Sequence, residues 1–350
     1  MKKIAILTLL LLSAAAVNAQ KKIIKLPEIP GYVTLKCDFH MHTVFSDGDV
    51  WPTYRVDEAW KDGLDAIAIS DHLEYQPKRE YIPTDHNAAW KIAGQRAAER
   101  NIILLHATEI TRSMPPGHLN ALFIKDAALI DVEDEFEAIG EAVRQGAFIQ
   151  WNHPGWKAQE EDGIPKIYEI HEKLFEKGYI HGIEFFNETE YYPNILEWCK
   201  EKDLAVIASS DMHGIISEFY GHATRPMTLV YAKERTEEAL KEALFDARTL
   251  AWFDNTLAGR EDLLLSFFEE AISISEPYYE NSMYKWIEVT NNCDVPFILF
   301  DGPEGVSSSI TLYANSITTI RISKIINPEL RFKVKNVLTA YKEYLEVKLK

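Results

Sequence analysis

Short apolar runs alternate with helical patterns through the first two-thirds of the chain, and no other feature narrows its fold so far. The runs fall at Val33–Phe39, Ala66–Ser70, Ile102–Glu109, Leu119–Ile124, Ala147–Trp151, Gly182–Phe186 and Ala205–Ser209. The helical patterns fall at Pro52–Lys61, Ala88–Arg100, Asp134–Gln145, Ile167–Lys177, Pro193–Lys200 and Glu237–Ala247. Alternation of this kind calls for parallel strand pairing in an α/β architecture. Seven such runs are too many for a small open sheet and fit a barrel. Gly63, Gly146 and Gly178 lie just past helical patterns, where a left-handed residue ends a helix at little steric cost.

After Asn255 the texture changes. A helical stretch over 261–274 runs into Ser275-Glu276-Pro277, and segments rich in Val, Ile, Thr, Tyr and Phe follow from Tyr284, broken at Asn291-Asn292 and Asp301-Gly302-Pro303. The 350 residues suit one large catalytic domain with a small appendage. The expected layout is a barrel over 20–257, a helical linker over 258–283 and a small antiparallel β domain over 284–350.

At the other end, Met1-Lys2-Lys3, the apolar run from Ile4 and Val17-Asn18-Ala19 have the three parts of a secretory signal peptide, residues 1–19. The run is short for a bilayer and no second long apolar stretch follows, so no membrane span is expected after cleavage. Gln20 would then come first, which disfavours a lipid anchor. The mature protein is expected to be soluble and exported, periplasmic or extracellular. Its formal charge of −17, deeper still without Lys2 and Lys3, repels nucleic-acid backbones unless a basic patch offsets it, and no such patch is visible. Much of that charge also reads as an ordinary solvated surface. Cys37, Cys199 and Cys293 are too few and too scattered for a disulfide framework, although a single bridge between the last two stays open.

The chemistry-bearing residues gather at the ends of the apolar runs. Asp38-Phe39-His40-Met41-His42-Thr43 closes the first, and Ser46-Asp47-Gly48 follows. A strand's period of two puts His40 and His42 on one face, where both can meet one metal ion. Alone, such a pair reads equally well as a polar surface turn. Later runs repeat it, however: Ser70-Asp71-His72, Thr108-Glu109, Gly117-His118-Leu119-Asn120, Trp151-Asn152-His153-Pro154 and Ser209-Ser210-Asp211-Met212-His213. Side chains delivered by the ends of separate parallel strands converge at one mouth of a barrel. A metal centre follows.

The blocks DFHMHTVFSDG, AISDH, ATE, GHLNALF, NHP and SSDMHG, spanning residues 38 to 214, resemble those of the PHP (polymerase and histidinol phosphatase) family and stand in its order. The resemblance implies a distorted (β/α)7 barrel holding two or three divalent metal ions. By the same resemblance His40, His42, Glu109 and Asp211 would hold a first ion. Glu109 would bridge to a second, held also by His118 and His153, and Asp47, His72 and His213 would hold a third. Imidazole and carboxylate ligands without thiolates suit Zn²⁺, Mn²⁺ or Fe²⁺.

The activity implied is hydrolysis of a small phosphate ester, diester or monoester, by a metal-bridged hydroxide, with Glu109 and Asp211 at its centre. His222 and Arg225 are candidates to assist the leaving group, and Arg112 is a candidate phosphate clamp; either arginine reads equally as a surface or structural residue. Asp38, Ser70, Asp71, Asn152, Ser209 and Ser210 flank the ligands and are placed to orient them. Trp51, Tyr75, Trp151 and Trp156 are candidate pocket walls, with core packing the competing account for Trp151. His86 stands in a polar loop, His171 in a helical pattern, His181 at the far end of a strand and His106 on the strand face opposite Glu109, so none of the four is expected to be a ligand. Other classes remain open: amidohydrolase-type cleavage of an amide or lactone, and a non-catalytic protein that binds a partner through its β domain. Protein partners and oligomeric state are not legible.

Overall fold

The computed structural model describes residues 21–83, 85–221 and 223–350. The expected signal segment 1–19 and the candidate His222 therefore lie outside the described residues.

The α/β expectation holds. Strands β1 (Val33–Asp38), β2 (Ala66–Ile69) and β3 (Ile103–Thr111) run parallel. β4 (His118–Leu122) turns back antiparallel to β3 and to β5 (Phe148–Trp151). β6 (Gly182–Asn187) pairs in parallel with β5 and carries the short hairpin strand β7 (Glu190–Tyr191). β8 (Ala205–Ser209) lies parallel to β6 on its other side. Every residue of β2, β5, β6 and β8 is buried, as expected of strands covered on both faces.

Three antiparallel strands extend the sheet beyond the expected pattern. β9 (Met227–Ala232) pairs with β1, β10 (Thr249–Phe253) with β9, and β11 (Thr256–Gly259) with β10. The expected ring of seven strands is not closed by a backbone ladder: β8 has β6 as its ladder partner, and the sheet otherwise runs on past β1 into β9. Two buried threonines bridge the seam instead. The Ala208 N–H donates to Thr228 Oγ1 at 2.9 Å, and that hydroxyl donates to the Ala208 carbonyl at 2.9 Å. Val206 N–H donates to Thr249 Oγ1 at 3.0 Å. Buried backbone donors need partners, and here hydroxyls supply what a neighbouring strand would.

The helix Glu261–Ala271 buries Leu263, Leu264, Phe267 and Phe268, so it is part of the core. Its successor β12 (Ile272–Ile274) already pairs with β14 (Tyr284–Asn291), which places the start of the β domain inside the stretch expected to be linker. β13 (Tyr279–Glu280) and β17 (Ser316–Ser323) complete that sheet. The remaining strands, β15 (Phe297–Phe300), β16 (Ile310–Leu312), β18 (Arg331–Ala340) and β19 (Glu343–Lys348), form the other layer. β18 pairs in parallel with β11 at Leu257↔Val337 and Ala258↔Leu338, so the barrel sheet continues into the β domain. Cys37, Cys199 and Cys293 are all free and buried, which rules out the open bridge. No helix among the described residues is long and apolar enough to cross a membrane.

Candidate metal centre

The nine histidines and carboxylates singled out from the sequence meet at one end of the barrel. His40 and His42 follow β1, His72 follows β2, and Glu109 lies near the end of β3. His118 opens β4, His153 follows β5, and Asp211 and His213 follow β8. Asp47 arrives on the loop after His42. That loop needs Gly48, because a Cβ there would sit 2.5 Å from the His42 carbonyl carbon and 2.6 Å from Thr43 N. Arg55, fully buried in the helix Pro52–Lys61, staples the loops together by donating to the carbonyls of His42 (2.9 Å), Met212 (2.7 Å), His213 (2.8 Å) and Gly214 (2.7 Å).

The spacing suits cations. Ligands about 2.1 Å from a tetrahedral ion lie ~3.4 Å from one another. Asp211 Oδ1 is 3.1 Å from His40 Nε2 and 3.0 Å from His42 Nε2, while Glu109 lies 3.4 Å and 3.7 Å from the same two nitrogens. Glu109 Oε1, the oxygen nearest His40, is also 3.2 Å from His118 Nδ1 and 3.8 Å from His153 Nε2. Asp47 Oδ2 lies 3.5 Å from His72 Nε2 and 3.3 Å from His213 Nε2. The His42 ring stacks between those of His72 and His213, with centroids 4.4 and 4.2 Å away. It therefore belongs equally to the group His42, Asp47, His72 and His213 and to the group His40, His42 and Glu109.

Without cations these groups hold one another by proton sharing. Burial alone would lower the His72 pKa, but Glu109 and Asp47 raise it to about 10. Burial likewise opposes charge on His40, and Asp211, Glu184 and Glu109 carry it well above its ordinary value. His42 goes the other way: burial, then its neighbours His72 and His213, depress it to about 3. Burial would raise the Glu109 carboxyl, yet His72, His40 and His118 hold it well below the usual range.

Proton sharing still leaves polar atoms over. His40 Nε2, His42 Nδ1, Glu109 Oε2 and His118 Nδ1 are buried and lack a well-directed hydrogen bond, even though charged neighbours such as His72 Nδ1, 2.6 Å from Glu109 Oε2, crowd them. Buried polar atoms are almost always paired, so four orphans within one cluster fit a donor set awaiting cations.

The cluster opens into a cavity of about 470 Å³ lined by Asp47, His72, Glu109, His118, His153, Asp211 and His213, and walled by Tyr75, Trp156, Glu188 and Glu190. None of the described lining residues is Lys or Arg. Trp151 is instead fully buried, stacked 4.1 Å from His171, and Trp51 sits outside, tilted 5.5 Å from Phe45. His86, His106, His171 and His181 stay out of the cavity as expected. Arg225 corrects the expectation of a group open to substrate. It is 1% exposed, and its guanidinium is committed to Asp38 (3.1 Å) and Asp62 (2.6 Å) behind the ligand strand. Arg112 is likewise committed to Glu74 and the Val132 carbonyl.

The flanking polar residues mostly fix loops rather than imidazoles. Asp38 accepts from Ser210 N (3.0 Å) and Oγ (2.6 Å), and Asp71 from Thr43 N (2.6 Å), Thr43 Oγ1 (2.6 Å) and Ser46 Oγ (2.7 Å). Asn152 Nδ2 donates to Glu109 Oε1 at 2.8 Å. Imidazole orientation falls to residues that sequence reasoning passed over: Thr111 Oγ1 meets His72 Nδ1 at 2.6 Å, and Glu184 Oε1 meets His40 Nδ1 at 2.9 Å. A lone Glu inside the apolar run Gly182–Phe186 was the available signal for the second.

A family model described as an Ig-like domain (DUF5001) matches residues 272–350. Among solved structures, a two-domain protein from Bacteroides vulgatus ATCC 8482, described as containing a predicted PHP-like metal-dependent phosphoesterase, is 39% identical. It superposes with a TM-score of 0.91 over 94% of this chain and 98% of its own. A putative metal-dependent phosphoesterase from Bifidobacterium adolescentis ATCC 15703 is 18% identical, with a TM-score of 0.42 over 59% of this chain and 95% of its own. An amidohydrolase from Chromobacterium violaceum is 16% identical, with a TM-score of 0.40 over 53% of this chain and 90% of its own. A comparison with curated proteins finds no match.

Proposed function

The chain belongs to the family of PHP-like metal-dependent phosphoesterases, and from that premise we propose that it hydrolyses phosphate esters, diesters in preference to monoesters. The observation that carries this reading is the set of four unpaired buried atoms, His40 Nε2, His42 Nδ1, Glu109 Oε2 and His118 Nδ1, in one acid-rich mouth. We assign His40, His42, Glu109 and Asp211 to a first ion, Glu109, His118 and His153 to a second, and Asp47, His72 and His213 to a third. Zn²⁺, Mn²⁺ and Fe²⁺ all suit these donors. Bound divalent cations would supply acidified water and offset phosphoryl charge.

The chain's own residues do the rest. Asn152 fixes the Glu109 carboxylate, and Arg55 holds the two ligand loops in register. Trp156 and Tyr75 offer an apolar wall to the leaving group. Around the bound cations, Glu188 and Glu190 in the wall, with no Lys or Arg among the described lining residues, add negative charge that disfavours the second charge of a monoester more than the single charge of a diester. The volume of about 470 Å³ suits a small substrate. Export, proposed from the Met1–Ala19 pattern, would direct the enzyme to phosphate esters outside the cytoplasm.

The test is turnover of p-nitrophenyl phosphate, bis-p-nitrophenyl phosphate, and amide and lactone panels by metal-replete protein. The diester should lead the monoester by about tenfold or more, which is roughly 1.4 kcal/mol of barrier. Monoester preference would overturn the diester assignment. Cleavage of amides or lactones alone would overturn the whole reading.

A further inference from the structure

We infer that Glu184 is a positioning residue that couples two of the proposed metal subsites by holding a ligand of each on one carboxylate. This rests on the ligand assignment above and adds a residue to it. Glu184 sits in the middle of β6, fully buried, in a strand whose other residues are also buried. An isolated carboxylate there is costly unless its lone pairs are filled. Asp38, a comparably buried carboxylate behind the same mouth, has the Arg225 guanidinium at 3.1 Å. No Lys or Arg pairs with Glu184 among the described residues; its partners are the site itself.

Each oxygen serves one subsite. Oε1 meets His40 Nδ1 at 2.9 Å and accepts from Gln150 Nε2 at 2.9 Å. With Nδ1 so engaged, the unpaired Nε2 of His40 is the atom turned toward Glu109 and Asp211, at 3.4 and 3.1 Å. Oε2 accepts from the backbone N–H of His153 at 2.7 Å and from Asn187 Nδ2 at 2.8 Å. His153 has φ +26°, a conformation an L residue adopts only when its surroundings impose it. The Glu184 bond to its N–H is one such restraint, so the carboxylate aims the His153 ring by fixing its backbone. Asn187 extends the clamp by a second bond, 3.2 Å to Asp211 Oδ2. His40 and Asp211 of the first subsite and His153 of the second thus all touch this single unit. Asp47, His72 and His213 do not touch it.

The consequence is selective. Removing the charge should weaken the ions held through His40 and His153 together and spare the one held by Asp47, His72 and His213. The experiment is stepwise Zn²⁺ titration by chelator competition on full-length wild type, Glu184→Gln and Asn187→Ala, with the metal-free melting temperature recorded for each. For E184Q the two affinities should fall about 10–100-fold, the range for a lost hydrogen-bond partner behind a ligand. The remaining affinity should stay within about twofold on the same scale. A purely structural role would instead lower the metal-free melting temperature and weaken every ion alike; that result overturns the inference, as do unchanged affinities. Should E184Q fail to fold, N187A cuts only the arm to Asp211, and it must weaken the ions in contact with Asp211 or the inference fails. Zn²⁺ binding by wild type that E184Q leaves intact overturns the coupling alone. A wild type that binds no Zn²⁺ overturns the metal reading and the coupling with it.

Discussion

The molecule handles buried polar groups in opposite ways in its two halves. In the β domain Asn291 and Asn336 are buried and their amides are fully used. Asn291 Nδ2 donates to the carbonyls of Val295 (2.8 Å) and Leu312 (3.2 Å), and its Oδ1 accepts from Cys293 N at 3.1 Å. Asn336 Nδ2 donates to the carbonyls of Asn255 (2.6 Å) and Pro296 (2.8 Å), and its Oδ1 accepts from Ile298 N at 3.0 Å. At the barrel mouth His40, His42, Glu109 and His118 are as deeply buried, and each keeps an atom unpaired. Leaving such an atom unpaired costs about 1–3 kcal/mol. Elsewhere in the barrel half isolated atoms such as Tyr231 Oη and Trp252 Nε1 are also unpaired, but the mouth gathers four of them in one cluster, where cations would complete them. The β domain satisfies these buried amides internally, whereas the mouth keeps donors that could hold cations.

Three experiments can break that contrast. The largest effect is expected at Glu109, whose carboxylate lies within 3.8 Å of a nitrogen on each of five histidines. Glu109→Gln keeps the shape and removes the charge. Diester turnover should fall by about 10³-fold or more, on the scale of losing a group that organises transition-state charge. Bound metal should fall with it while the circular dichroism spectrum stays native; full activity at full metal content would break the account.

The complementary change is Phe297→Ala, which empties a fully buried position packed 4.9 Å from the Phe268 ring. It should cost about 3–5 kcal/mol of stability and leave Zn²⁺ affinity unchanged in the folded protein. A shift in metal affinity would show that the two halves are not separate in role.

The smallest effect is the pH dependence. Despite burial, Glu109 and Asp47 raise His72 from 6.5 to about 10. In metal-free protein the stability contributed by its ion pairs is therefore complete below the unfolded value of 6.5 and is lost as pH rises through about 10. Zn²⁺ competes with that proton, so the rise in melting temperature on adding Zn²⁺ should grow between about pH 7 and 9. Each further kcal/mol should add about 1–2 °C in a chain of this size. A gain that shrinks with rising pH would contradict the proton-sharing picture.

The mouth was legible because its residues are chemically out of place where they stand: imidazoles and carboxylates at the ends of apolar runs leave a local mark. All nine reach one cluster. What supports them left almost no mark. Arg55 reads as an ordinary helical arginine until the fold brings the carbonyls of His42 and Met212 to it. Glu184 is one polar letter in a strand, and only the packing of β6 beside β5 shows what it holds. Arg225 misled for the same reason: proximity in sequence to the last ligand block says nothing about which side of a strand receives a long side chain. The antiparallel strands β9–β11 escaped notice because no polar terminus punctuates them, and the threonine-bridged seam at β8 depends on contacts between Thr228, Thr249 and a strand distant in the chain.

The most direct measurement is anomalous diffraction from a crystal of the full-length protein grown with Mn²⁺ or Zn²⁺. The account predicts anomalous peaks among His40, His42, Glu109, Asp211, His118 and His153, with every orphaned nitrogen and oxygen in the mouth now facing an ion. A hydrolytically active crystal with no anomalous signal in that cage would contradict it.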